Sequence, residues 1–170
     1  EFGKYIYGTD GESIAKVVVD RLIDLGETVA VAESCTGGFL GHHITGIPGA
    51  SAVFVGGIIS YSNELKHKLL DVKNDTLEKH GAVSKAVALE MAEGARAATG
   101  ADHTLSVTGI AGPGGGSTEK PVGTVWLGLA SAGERPLAVK KHHPYNRETF
   151  KQASVNQSLE LLRRRIQRDC

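Results

Sequence analysis

The chain predicts an α/β fold: a three-layer α/β/α sandwich around a mixed central sheet. Three observations predict it. Short apolar, β-branched runs alternate with stretches of helical period through the first half of the chain. A strand pair of hairpin spacing follows in the second half, which brings antiparallel strands into an otherwise parallel sheet. The 170 residues, 41% hydrophobic, suit one domain with a sizeable core.

The elements follow in order. Residues 1–10 read as a tail or linker remnant, with Tyr5-Ile6-Tyr7-Gly8 in it, and residues 11–170 as the domain. Ile14, Val17, Val18, Leu22, Ile23 and Leu25 are spaced as a helix, and Gly26 stops it. Thr28 to Ala32 is a strand that runs into the polar turn Glu33-Ser34-Cys35-Thr36-Gly37-Gly38, and a helix follows to Thr45. Val53 to Ser62 reads as a second strand, in which Gly56-Gly57 marks a bulge or a close packing contact. A helix begins at once, with Asn63 as its cap, and a short one covers Asp75 to His80. Ser84 caps a long helix whose apolar face is Val87, Leu89, Met91, Ala95 and Ala98, ended by Gly100. His103 to Gly109 is a strand, followed by the glycine loop Gly109 to Gly116. Val122 to Ala130 and Pro136 to His142 form the hairpin, turning at Gly133. Asn146 to Arg168 is a closing amphipathic helix, buried through Val155, Leu159, Leu162 and Ile166.

Composition narrows the function. Lys+Arg and Asp+Glu both number 19, so there is no net pull toward nucleic acid or membrane. Arg163-Arg164-Arg165 reads as a solvated helix face. Two cysteines, Cys35 and Cys170, form neither a disulfide framework nor a zinc pattern. No apolar run reaches membrane-spanning length and no signal peptide is visible, so the expected location is cytoplasmic.

The chemistry gathers at the end of the first strand. Ser34, Cys35 and Thr36 put three hydroxyl or thiol groups at a helix N-terminus, where free N–H groups and a partial positive charge suit a phosphate or oxyanion. An ordinary helix cap with turning glycines explains the same residues. A serine nucleophile needs a base. The seven histidines sit in no triad setting, and there is no Gly-x-Ser-x-Gly elbow. Tyr61-Ser62-Asn63-Glu64-Leu65-Lys66 begins at the end of the second strand, so Tyr61 and Lys66 can face the first strand's carboxyl end. A partly desolvated Lys66 would take the serine proton; the competing reading makes it a surface lysine like Lys68. The glycine loop lacks both Walker A and dinucleotide-fingerprint spacing, and is either a phosphate cradle or a long connection. Histidine pairs 42/43 and 142/143 diverge and do not chelate, so no metal is expected. Cys35 reads as a small buried thiol.

Together, Ala32-Glu33-Ser34-Cys35-Thr36-Gly37-Gly38, Tyr61-Ser62-Asn63-Glu64-Leu65-Lys66, His80-Gly81-Ala82-Val83-Ser84, the run Thr108 to Gly116 and Lys120-Pro121-Val122-Gly123-Thr124-Val125 resemble the CinA C-terminal domain, the nicotinamide mononucleotide deamidase (PncC-type amidase) family. The resemblance covers about residues 12 to 165. It implies hydrolysis of the carboxamide of nicotinamide mononucleotide to nicotinate mononucleotide and ammonia, in pyridine nucleotide salvage. Ser34 would be the nucleophile, Lys66 its base and Tyr61 a hydrogen-bonding assistant. Amides around Thr36, Gly37 and Gly38 would bind the oxyanion. Thr108, Gly109, Gly112 and Gly114 would line the nucleotide pocket, and Arg147 would meet the phosphate. The resemblance also implies a homodimer with no cofactor. Two positions depart from the family pattern: Asn146 stands where an aspartate is usual, and Lys151 where a second arginine is usual, which removes a bidentate phosphate contact. They motivate a competing reading as a non-catalytic nucleotide-binding module. A dimerisation domain of a larger protein is a third.

Overall fold

The computed structural model describes residues 12–167, so the expected N-terminal tail, Arg168 and Cys170 lie outside the described residues. The order is α1 (Ile14–Leu25), β1 (Val29–Glu33), α2 (Phe39–Thr45), a single 3₁₀ turn (Ala50–Ala52), β2 (Phe54–Ile59), α3 (Asn63–Leu70), α4 (Asn74–His80), α5 (Lys85–Thr99), β3 (His103–Gly109), β4 (Thr124–Ser131), β5 (Leu137–His142) and α6 (Arg147–Ile166). The five strands form one sheet in the order β2-β1-β3-β4-β5. β1 pairs in parallel with both β2 and β3, while β3–β4 and β4–β5 are antiparallel. This is the mixed sheet the pattern predicts.

The two faces of the sheet are packed by different chemistry. Val29, Val31, Leu105, Val107, Leu127 and Leu129 meet α1, α2 and α6 in one large apolar core. The opposite face of β3 carries Thr104, Ser106 and Thr108, all buried. Their hydroxyls donate to the carbonyls of Ala92 (2.6 Å), Ala88 (2.6 Å) and Ala82 (2.9 Å). Period-two alternation thus gives a greasy face and a hydroxyl ladder on one strand. The ladder satisfies itself on second lone pairs of α5 and its approach loop, so it costs no unpaired polar group. It also requires small neighbours: a Cβ on Gly128 would lie 2.3 Å from Ser106 Oγ and 2.5 Å from the Ala88 carbonyl oxygen.

Several local expectations are corrected. Ser62, not Asn63, caps α3, because its Oγ accepts from the Leu65 amide at 3.1 Å. The buried face of α5 is Val87, Ala88, Met91, Ala92 and Ala95; Ala98 is exposed and Leu89 half-buried, since the hydroxyl ladder selects alanines. On α1, Val19 is buried while Ile23 and Leu25 are exposed. β2 is shorter than the predicted run, and a bulge at Val55 shifts its register against β1. Gly57 makes the close packing contact: a Cβ there would lie 2.8 Å from Val31 Cγ2. The three-arginine run is not a solvated face. Arg163 and Arg165 are buried, Arg163 on Glu160 and Arg165 on Glu134 of the β4–β5 turn, and only Arg164 reaches out. Among the described residues no helix is long and apolar enough to cross a membrane, and no cluster of three His, Cys, Asp or Glu could hold a metal ion.

Candidate active site

The site forms at the carboxyl end of β1, where open α/β sheets hold ligands. Backbone pairing continues one residue past β1 on each side: the Ser34 amide donates to Val107 O at 3.0 Å, and the Ser60 amide donates to Glu33 O at 2.9 Å. Ser34 is therefore clamped between the ends of β2 and β3. Lys66 sits on α3 with Leu70 one turn later, both on the buried face of that helix. Its side chain turns back under the end of β2 and is only 1% exposed, while Ser34 is 8% exposed.

The Lys66 Nζ has three acceptors: Ser34 Oγ at 3.0 Å, Ser60 O at 2.8 Å and Tyr61 O at 3.2 Å. Burial pulls the Lys66 ammonium below the usual lysine range. A neutral amine keeps two hydrogens and one lone pair. If the carbonyls of Ser60 and Tyr61 take the hydrogens, the lone pair faces Ser34 Oγ. In that arrangement two main-chain carbonyls would do the orienting work that a third side chain does in a triad. Cys35 is buried beside this pair, and burial pushes its thiol up to about 12, so it is held neutral.

Tyr61 lies at the mouth, 60% exposed. Its hydroxyl does not reach Lys66; it accepts from Arg147 Nη2 at 3.2 Å, and the contact to Lys66 runs through the Tyr61 carbonyl instead. Arg147 Nη1 also donates to Gly112 O at 3.1 Å. The guanidinium thereby ties the start of α6, the glycine loop and the β2–α3 turn together across the opening. Asn146 takes the place of the missing aspartate as the cap of α6, its Oδ1 accepting from the Thr149 amide. Lys151 lies one turn on, with Nζ 5.0 Å from the centre of the Phe39 ring, in a cleft of about 370 Å³ shared with Glu148, Thr149 and Gln152.

Other expected binding residues have structural jobs. The Thr108 hydroxyl is spent on Ala82, and the residue is buried. A Cβ on Gly109 would lie 2.8 Å from Thr124 O, and one on Gly112 2.6 Å from Val122 Cγ1, so both glycines serve close packing. Gly114 alone of the four faces open space. Gly37 and Gly38 adopt φ of 61° and 98°, so they bend the turn, and they do not offer amides: the Gly37 amide donates to Ser34 O, and the Gly38 amide donates to the Glu33 carboxylate.

Glu33 is the residue that sequence reasoning missed. It is 1% exposed, and its carboxylate accepts from the amides of Gly38 (3.0 Å), Leu40 (3.1 Å) and Gly41 (2.8 Å). An acid at a strand end, just before a helix that lacks a Ser, Thr, Asp or Asn cap at Gly38, was the available signal.

A three-layer α/β domain with a serine hydroxyl bonded to a buried lysine defines the serine–lysine class of candidate active site. Comparison with known proteins narrows the class. The family model described as "CinA C-terminal domain" matches residues 11–166, and the chain belongs to that family. It is 49% identical, over 96% of its length, to a CinA-like protein of Parasynechococcus marenigrum strain WH8102, of which it covers 39%. The chain thus spans about two fifths of the length of the curated relatives it matches. Among solved structures it resembles the competence/damage inducible protein CihA from Agrobacterium tumefaciens, with TM-score 0.83, 39% identity and 91% and 97% of the two chains covered. It also resembles a CinA superfamily protein from Escherichia coli, with TM-score 0.85, 30% identity and 96% and 98% covered.

Proposed function

We propose that this domain is a serine amidase that hydrolyses the carboxamide of nicotinamide mononucleotide to nicotinate mononucleotide and ammonia. The observation that carries the reading is the 3.0 Å contact between Ser34 Oγ and a buried Lys66 Nζ that is itself held by two carbonyls. Neutral Lys66 accepts the Ser34 proton as Oγ attacks the carboxamide carbon. The tetrahedral oxyanion is met by the Thr36 amide, which donates to no carbonyl among the described residues, and by the Cys35 amide, whose one acceptor is its own Sγ. On collapse the carbon–nitrogen bond breaks, and the Lys66 ammonium gives its proton to the leaving amide nitrogen, which departs as ammonia. Water, deprotonated by the same amine, then attacks the acyl-serine ester, releasing the carboxylate and restoring Ser34. Arg147, at the rim, supplies the cation for the substrate phosphate.

The direct test measures ammonia release from nicotinamide mononucleotide by the purified domain. The wild type should turn over, and Ser34→Ala should lose at least about 10³-fold in kcat. Equal rates for the two proteins would end the proposal, and tight binding of the nucleotide without turnover would favour a binding module. Arg147→Met should act differently. KM for the nucleotide should rise roughly 10²-fold, with a smaller change in kcat. The uncharged riboside should be far less affected, and equal losses on both substrates would remove Arg147 from the phosphate.

A further inference from the structure

We infer that Glu33 is the positioning residue of this site: an internal anion that occupies the α2 N-terminus and thereby fixes the Ser34 turn. The inference rests on the serine amidase reading above. A helix start offers four unpaired amides. Here all four are taken. Gly38, Leu40 and Gly41 donate to Glu33, and Phe39 donates to Thr36 O at 3.3 Å. The positive end of α2 therefore has no donor left for a substrate phosphate or for an oxyanion.

What remains in the turn is specific. Among the described residues the Thr36 amide has no acceptor, the Cys35 amide faces only its own Sγ, and Thr36 Oγ1 is fully buried without a hydrogen-bond partner. The Thr36 amide and hydroxyl and the Cys35 amide thus follow directly on the nucleophile in the chain, and would meet the acyl oxygen of a Ser34 adduct as it develops charge. Glu33 stands on the other side of Ser34, one residue back. Its carboxylate draws Gly38 and Gly41 toward β1, and the left-handed Gly37 and Gly38 let the four residues between Glu33 and Gly38 fold as a tight turn. Remove the carboxylate and α2 can move off the strand, carrying Cys35 and Thr36 out of line with Ser34 Oγ. The lysine contact, which comes from α3, is untouched.

Two readouts test this in the full domain. The first is the rate at which a fluorophosphonate probe modifies Ser34, followed by intact mass; an Oγ–phosphorus bond forms and fluoride leaves. The second is steady-state turnover of nicotinamide mononucleotide. Glu33→Gln cannot accept from amides at both oxygen positions. Both the labelling rate and kcat should fall about 10- to 100-fold, with KM changed by less than about threefold. Glu33→Asp should recover part of the loss. A role confined to helix stability would lower the melting temperature and leave both rates of the folded protein unchanged, which would overturn the inference. A wild type inert in both assays would instead sink the amidase reading, and this inference with it. Should Glu33→Gln fail to fold, hydrogen exchange in the wild type decides: the Gly38, Leu40 and Gly41 amides should be protected despite lying in a first helical turn, and rapid exchange there overturns the inference.

Discussion

Lys66→Met is expected to abolish turnover, by about 10³- to 10⁴-fold in kcat, with little change in affinity for the nucleotide. Methionine keeps the length and apolar body of the side chain but supplies no proton acceptor. The size of the loss follows from the enclosure: Lys66 is 1% exposed, so water cannot stand in as base. The double variant Ser34→Ala/Lys66→Met should be no slower than either single variant, because the two groups act as one unit. Losses that multiply would show that they act independently. The pH dependence carries a sign. Burial favours the neutral amine, so activity should rise with pH through a step below the usual lysine value and then level off. That step should be missing from the residual rate of Lys66→Met. Cys35 adds no second step in this range, since its thiol is pushed up to about 12.

Gly94→Ala is expected to produce the largest loss of stability of any methyl-sized change in the domain. Helix propensity argues the opposite, favouring alanine over glycine inside a helix by about 1 kcal/mol. Packing decides the sign. A Cβ at Gly94 would lie 1.9 Å from Leu70 O and 2.6 Å from Leu70 C, both main-chain atoms at the end of α3. No rotamer relieves that contact, so α3 and α5 must separate. Overpacking of this kind costs roughly 1–3 kcal/mol or more, leaving a net loss that should lower the melting temperature by several degrees. Because α3 carries Lys66, kcat should fall as well. An unchanged or raised melting temperature would show that the two helices do not cross here as described.

Much of the site was legible in the sequence because the signals are local. An apolar run, a cluster of hydroxyls and a pair of glycines announce the turn after β1, and a polar segment leading into a helix places Lys66 near the same sheet end. What was not legible depends on partners far along the chain. The Glu33 carboxylate looks like an ordinary strand-end acid until α2 folds back over it. Arg163 and Arg165 look solvated until Glu160 and the β4–β5 turn at Glu134 supply their counterions. Thr108 and Gly109 end a strand as ligand-binding residues do, but the hydroxyl ladder and the contact with β4 claim them first. The Arg147 bridge joins three segments, and no spacing rule connects them. Family resemblance supplied the arginine; only geometry shows that it grips Tyr61 and Gly112.

The clamp on Ser34 has a kinetic corollary. Its amide is anchored by a carbonyl of β3, and the link between Thr28 and Asp102 at the other end of the same strand pair spans 74 positions. Loops that long must close before the first and third strands can zip, which places the domain among slower folders than a helical bundle of equal size. On refolding from urea, early helical signal should precede any reactive serine, because the nucleophile has no fixed position until the most distant pairing in the sheet is complete.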